Sequence, residues 1–415
     1  MEVFEKLQAV AAGIEHEEEG IPPITLPKRA VENGCAKDTS SLGVFRAQMG
    51  GGKTMPMLKS MLTTACENNC HYCVFRRPRN LQRYTFTPEE MAEAFMKMVR
   101  RGAVEGLFLS SGVIGGGAKS QDHLLKTIEI LRLKYHYRGY VHLKVMPGAE
   151  ETQIERAMQL STRVSINLEG VTPVRLKFLA PMKNLYGDLF PRIQMMDRFR
   201  KDQIQNHTRP FPTSITTQLV VGVAGESDVE TLQLSEILYK QYGLARVYYS
   251  GFAPAPDTPL ENYPAMDYTR YIRLYQASFL LRDYGFGMEE LPFQGGGYLP
   301  LNVDPKLAWA QENFAECPRD QSGRARNAAT HPRHRQTGRR THLQRPQRTE
   351  THRPAATGEA GHFPQASCPF HPDEWAPARI SDGSVGSERG LFLRCRGPLH
   401  PLKTTLSFLK WDRIF

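Results

Sequence analysis

Cys66-Glu-Asn-Asn-Cys70-His-Tyr-Cys73 is a C-x3-C-x2-C run set directly after the apolar segment from Met57 to Thr64. Three thiols within eight residues can meet on one side of a loop. There they can hold a soft metal centre and leave one coordination position to something other than protein. Three other readings stand beside that one. A disulfide leaves a thiol over, a structural zinc site needs a fourth ligand that only His71 offers nearby, and the thiols can simply be buried. The spacing, with Tyr72 just ahead of the third cysteine, favours an iron-sulfur site on Cys66, Cys70 and Cys73.

Outward from this run the pattern alternates strand and helix. Leu58 to Thr64 reads as a short apolar strand feeding the cysteine loop. Thr87-Pro-Glu-Glu90 offers an N-cap, a proline at the first helical position and a capping-box glutamate, opening a helix through Arg101. Strands follow at about Gly106 to Ser110, Tyr140 to Val145, Val164 to Leu168, Thr216 to Gly222 and Arg246 to Ser250. Helical stretches sit near 120–135, 150–160, 187–203 and 226–242. Six strands with helices between them predict an α/β fold with a parallel sheet and right-handed crossovers. A last helix spans about Asp267 to Tyr284, and the glycine cluster in Leu291-Pro-Phe-Gln-Gly-Gly-Gly-Tyr-Leu-Pro300 reads as a connector rather than a loop over the barrel mouth.

Four segments result: an N-terminal adaptor (1–55), the core (56–287), a connector (288–318) and a tail (319–415). The adaptor has an amphipathic start at Val3, Phe4, Leu7 and Val10, an acidic patch from Glu15 to Glu19, then coil. Gly50-Gly-Gly-Lys-Thr54 lacks the first glycine of a phosphate loop, because Ala47 stands there, and reads as a flexible loop. The formal charge of +10 invites a nucleic-acid reading. Its distribution argues otherwise: 17 Lys and Arg against 8 Asp and Glu lie from Arg319 onward, leaving 36 against 35 in residues 1–318. No apolar run is long enough to span a bilayer, and seven cysteines in no regular framework suit a reducing interior, so the expectation is a cytoplasmic protein.

The cysteine run resembles the cluster motif of the radical S-adenosylmethionine (radical SAM) superfamily, with an aromatic before the last cysteine. The resemblance extends through Pro56-Met-Leu-Lys-Ser-Met-Leu-Thr-Thr-Ala-Cys66, Tyr84-Thr-Phe-Thr-Pro-Glu-Glu90, Gly106-Leu-Phe-Leu-Ser-Ser-Gly-Val113 and His142-Leu-Lys-Val-Met-Pro-Gly148. These segments are similar to the DNA modification/repair radical SAM proteins, over roughly residues 40–317. The resemblance implies a partial (β/α)6 barrel. It also implies a 4Fe-4S cluster on the three cysteines, with the amino and carboxylate groups of S-adenosylmethionine on the fourth iron. One electron, from a flavodoxin- or ferredoxin-like donor, cleaves the sulfonium and yields a 5'-deoxyadenosyl radical that abstracts hydrogen from substrate.

The same resemblance assigns residues. Tyr72 would cover the cluster. Ser110, Ser111 and Gly112 stand where the superfamily places a Gly-Gly-Glu-like segment for the cofactor's amino group; the glutamate is missing, which leaves backbone carbonyls and serine hydroxyls. Lys144, Asn167 and Glu169 lie at strand ends where barrels collect active-site groups, and Asn167 and Glu169 share the phase of Ser165. Gly222, in Val221-Gly-Val-Ala-Gly225, resembles a segment that packs along adenine. Arg76 and Arg77 are the expected substrate contacts, from the core's concentrated basic patch. The leading expectation is a radical SAM enzyme acting on DNA or another nucleic acid. A radical SAM enzyme with a small-molecule or protein substrate, and a non-catalytic iron-sulfur or zinc protein, are the alternatives.

Residues 319–415 hold fifteen Arg but two Lys, and seven of the thirteen His, with almost no periodicity before about residue 390. A basic arm touching nucleic acid is one reading; translation in the wrong frame is the favoured one. Shifting by one base builds each new codon from the last two bases of one residue and the first of the next. His331 to Gln336 then allows Ile-Pro-Gly-Ile-Gly, the hairpin of a helix-hairpin-helix module that the resembled family carries at its C-terminus. Asp320 to Arg324 and Pro364 to His371 continue that pattern. Such a hairpin offers backbone N–H groups to a DNA phosphate without reading bases. The chain as written lacks it, and the tail's Pro, Arg and His content predicts poor order and weakened DNA contact. Nucleotide sequencing across the Cys317 codon separates the two readings.

Overall fold

The structure is a computed structural model, and its described residues are 2–14, 40–48 and 54–314. The expectations that fall on the acidic patch, on most of the Gly50–Thr54 segment and on the tail after residue 318 lie outside them. The chain divides into two units, Met1–Lys306 and Leu307–Phe415. Of the second unit, residues 307–314 are described, as part of the helix Pro305–Phe314.

The first unit is a seven-stranded sheet whose spatial order is its chain order. Strand β1 (Val44–Gln48) is antiparallel to β2 (Thr54–Met61). From β2 onward every neighbour is parallel: β3 (Gly106–Ser110), β4 (Tyr140–Lys144), β5 (Arg163–Ser165), β6 (Ser214–Val221) and β7 (Arg246–Gly251). The six parallel strands are the six expected from the sequence, and the sheet forms a curled, partial α/β barrel. The antiparallel β1 was not foreseen. It is short, carries Arg46 and Gln48, and its partly exposed residues give little alternation to read.

Helices connect the parallel strands in turn. Helix α1 (Val3–Ile14) precedes β1, and α2 (Pro88–Arg100) follows β2. The capping box at Thr87 and Glu90 is formed in both directions, so two otherwise orphan N–H groups are satisfied where the sequence placed the helix start. Helices α3 (Gly117–Glu129), α4 (Glu151–Leu160), α5 (Pro173–Leu179), α6 (Phe190–Gln205) and α7 (Asp228–Lys240) complete the crossovers, and α8 (Tyr268–Phe279) follows β7. Helix α5 is a single short element outside the helical stretches that the sequence pattern predicts.

Strand alternation divides the sheet chemically. Leu58, Leu107, Leu109, Val141, Leu143, Val164, Ile215 and Val247 are fully buried under the helices. Each such side chain contributes about 1.5–3 kcal/mol on leaving water. The other phase carries Lys59, Phe108, His142, Lys144, Ser165 and Gln218, cross-linked by a His142–Ser165 hydrogen bond of 2.8 Å and by both lysines over the Phe108 ring. The apolar face fixes which way each strand lies, and thereby delivers the polar phase to the concave side.

The Gly295–Gly297 turn is tied to the start of α7: Val229 N donates to Gly297 O (3.0 Å) and Leu299 N to the Asp228 carboxylate (2.9 Å). Among the described residues, no helix is long and apolar enough to cross a membrane.

Candidate functional site

Beyond β2 the chain runs into the cysteine loop through a pinched neck. Thr64 N donates to Tyr84 O (2.9 Å), Phe86 N to Leu62 O (2.9 Å), and the Thr63 and Thr85 hydroxyls meet at 2.7 Å. Between these ends the loop has almost no regular structure, so its carbonyls must find donors elsewhere. Arginines supply them, as described below.

The loop is also fastened to its neighbours. Glu67 N donates to Val113 O and Gly112 N to Thr63 O, each at 2.8 Å, while the Glu67 carboxylate accepts from Gly115 N (2.5 Å) and Gly116 N (3.3 Å). This brings the segment after β3 against the first cysteine. On the far side His71 N donates to Leu179 O (2.7 Å), and Tyr72 packs on Leu179, Val220, Phe252 and Leu260. The loop thus spans from the β3 side of the sheet to the β6–β7 side.

Cys66, Cys70 and Cys73 are thiols, not disulfides, and all three line one basin at the C-terminal ends of the strands. The basin spans about 1050 Å³ with its solvent-open space included. Val113 N points at Cys66 Sγ (3.5 Å) and Phe75 N at Cys73 Sγ (3.4 Å). Such N–H···S contacts stabilise a thiolate and tune any cluster it holds. Burial pushes the Cys70 thiol up to about 11, with the charge of Lys183 acting in the opposite direction.

Most of the residues singled out from the sequence meet here. Tyr72 and Arg76 line the basin beside the cysteines; Ser110, Ser111 and Gly112 form its wall after β3. Lys144, Asn167 and Glu169 line the opposite wall, with the Lys144 ammonium donating to Asn167 Oδ1. Strand β5 stops at Ser165, earlier than expected, because the chain curls: Glu169 has φ +63° and is pinned between Gln218 O (3.0 Å) and Val220 N (2.8 Å) of β6. Asn167 and Glu169 reach the basin all the same.

Two expectations do not meet there. Arg77 is exposed and absent from the lining. Gly222, at φ +103°, is also absent from it; its missing side chain makes room for Met266, and its N–H serves the Glu226 carboxylate. Arg76 lines the basin, but its guanidinium donates to Cys70 O (3.1 Å) and Asn69 O (3.3 Å), so its hydrogen bonds hold the loop.

Lys183 was missed, since it lies in no motif. Its ammonium pairs with Glu169 Oε1 at 2.8 Å, with the two side chains only 10% and 3% exposed. Burial alone would lower the lysine's pKa, yet the charge of Glu169, with Cys70 behind it, holds it above the ordinary value. Burial, then the same Glu169 charge, pushes the Tyr72 hydroxyl well up. Glu169 Oε2 is buried with no hydrogen-bond partner, an arrangement that asks for a donor from a ligand. A carboxylate oxygen and an ammonium side by side complement the two charges of an α-amino acid.

Residues 60–237 match the model of the Radical SAM superfamily, from the end of β2 into α7. The chain is 24% identical over 215 residues to the 7,8-didemethyl-8-hydroxy-5-deazariboflavin synthase of Methanosarcina mazei, covering 49% of this chain and 60% of that one. The synthase of the same name from Methanoculleus marisnigri is 26% identical over 283 residues, 60% of this chain and 80% of that one. The threonylcarbamoyladenosine tRNA methylthiotransferase of Thermotoga maritima is 27% identical over 199 residues, 47% of this chain and 43% of that one. Residues 60–237 therefore read as a radical SAM superfamily domain. Proteins of this superfamily are enzymes that use a 4Fe-4S cluster and S-adenosylmethionine.

The residues present fit that pair of groups. Three thiols face one basin, two with N–H groups aimed at sulfur, and an unpartnered buried carboxylate oxygen and a buried ammonium lie beside them. Among the described residues no group of three His, Cys, Asp or Glu side chains stands close enough to hold a single metal ion.

Proposed function

We propose that Cys66, Cys70 and Cys73 hold a 4Fe-4S cluster, that the basin wall holds S-adenosylmethionine, and that the chain is a radical SAM enzyme acting on a nucleic-acid base or sugar. The observation that carries the reaction class is the meeting of the three cysteines with Ser110–Gly112, Asn167 and Glu169 on one basin. When bound, the cluster and cofactor supply one-electron cleavage of a sulfonium and hydrogen-atom abstraction.

The chain's own residues do the rest. Lys183 and the open oxygen of Glu169 take the carboxylate and ammonium of the methionyl end. Ser110, Ser111 and Gly112 replace the missing Gly-Gly-Glu acid by hydroxyls and backbone, and Asn167 is held ready by Lys144. Tyr72, packed on Leu179 and Phe252, closes the far side of the basin against water. A flavodoxin- or ferredoxin-like protein supplies the electron.

The nucleic-acid substrate is supported by the motif resemblance and by a relative named for tRNA. A small-molecule substrate is the second reading, favoured by the near-neutral charge of residues 1–318 and by the deazariboflavin synthases. The test is 5'-deoxyadenosine release by the anaerobically reconstituted, reduced chain, measured alone, with DNA and with tRNA. Release stimulated by either polymer supports the leading reading. Equal release in all three samples overturns it in favour of the second, and no release under any condition sinks the reaction class.

A further inference from the structure

Arg76 is an expected substrate contact, yet the structure turns it inward together with Arg79 and Arg83. Arg83 Nη1 donates to Thr64 O and Phe75 O, both at 2.8 Å, and its Nη2 donates to Arg76 O (2.9 Å) and Arg79 O (3.0 Å). Thr64 stands before the first cysteine, and the other three stand after the last. One planar group therefore joins the two arms of the loop at four carbonyls. Arg79 Nη1 adds a bond to Val74 O (2.8 Å), and Arg76 grips Cys70 O from within.

We propose that Arg83 is the positioning residue of the metal loop, setting the separation between the Cys66 arm and the Cys73 arm so that the thiols face the basin at cluster width. This rests on the reading of the loop as a cluster site. The warrant is geometric. Four carbonyls approached from two directions need a rigid fork of N–H donors, which a guanidinium has and an ammonium lacks. No helix or strand between Ala65 and Arg83 supplies the same restraint.

The test uses the full chain with Arg83→Lys and Arg83→Ala. Iron and sulfide bound per chain are measured after anaerobic reconstitution, alongside the melting temperature of each metal-free protein. Both variants are expected to lose about 10- to 100-fold in iron affinity, the usual effect of removing a group that orients metal ligands. The metal-free Arg83→Lys protein should melt close to the unaltered chain. Ethylguanidinium should restore iron loading to Arg83→Ala, and ethylamine should not. Unaltered loading in Arg83→Lys, or no rescue by ethylguanidinium, overturns the proposal. So does a metal-free melting temperature that falls in step with loading, because Arg83 would then hold the fold rather than the site. If the unaltered chain takes up no cluster, the failure lies with the cluster reading itself.

Discussion

Gly112 follows β3 and Gly222 follows β6, and each lets the backbone come closer to a neighbour than a side chain allows. At Gly112 a Cβ would lie 2.0 Å from the Ala65 carbonyl oxygen, and at Gly222 it would lie 2.6 Å from Met266 Cβ. The neighbours differ in kind. Gly112 presses on the backbone that leads into Cys66, so its close approach builds the basin. Gly222 presses on the base of the Met266 side chain, and the residues after it are organised by a scaffold: Glu226 accepts from the Gly222 and Ala224 N–H groups, and Arg270 bridges Glu226 and Asp228. Two strand-end glycines that look alike in the sequence thus serve the site in one case and the frame in the other.

The largest expected effect is at the site. Gly112→Ala forces the Ala65 carbonyl aside and should destabilise the chain by about 3 kcal/mol. Iron loading after reconstitution should fall with it, beyond what the change in melting temperature explains. If the variant loads iron normally, the two glycines are equivalent and the contrast is broken.

Arg270→Ala strikes the frame. It leaves the buried carboxylates of Glu226 and Asp228 without their cation and should cost about 3 kcal/mol by urea denaturation. The cluster content of the protein that remains folded should be unchanged. A selective loss of cluster would show that the β6 loop belongs to the site after all.

Gly222→Ala comes next, at about 1–2 kcal/mol, from the left-handed backbone and the contact with Met266. The second substitution Met266→Gly, which removes the Cβ at 2.6 Å, should recover the contact part in a double-mutant cycle, whereas no shortening of a side chain can relieve Gly112→Ala. Additive costs at 222 and 266 would contradict the assigned contact.

Smallest is Glu67→Gln. It keeps the shape but weakens the acceptor for Gly115 and Gly116 N–H, so the expected cost is about 1 kcal/mol. The N–H groups of Gly115 and Gly116 should exchange faster in hydrogen-exchange measurements, while those near Gly222 keep their rate. Equal acceleration at both loops would mean that the two are coupled.

Local chemistry was legible where it is self-contained. Thr87 and Glu90 cap α2 because both partners lie within one turn, and Gly106–Ser110 begins and ends where its apolar run does. Asn167 and Glu169, two residues of one phase, both line the basin, although the chain leaves the strand midway. Lys183 was invisible for the opposite reason. It lies fourteen residues beyond Glu169 in an irregular stretch, and only the fold makes the two into a buried pair. Arg76, in the basic patch after the third cysteine, reads as a substrate contact, since nothing in a sequence says that a loop's carbonyls lack donors.

The sequence by itself determined the three cysteines, the six parallel strands and the polar phase at the strand ends, because those rest on spacing and period, which are properties of neighbours along a chain. Only the tertiary structure decided that Gly112 faces Ala65 while Gly222 faces Met266, that Lys183 neutralises Glu169, and that the arginines turn back on the cysteine loop. Each of these is a partnership between segments far apart in the chain, fixed by burial and by the need to satisfy every buried polar group.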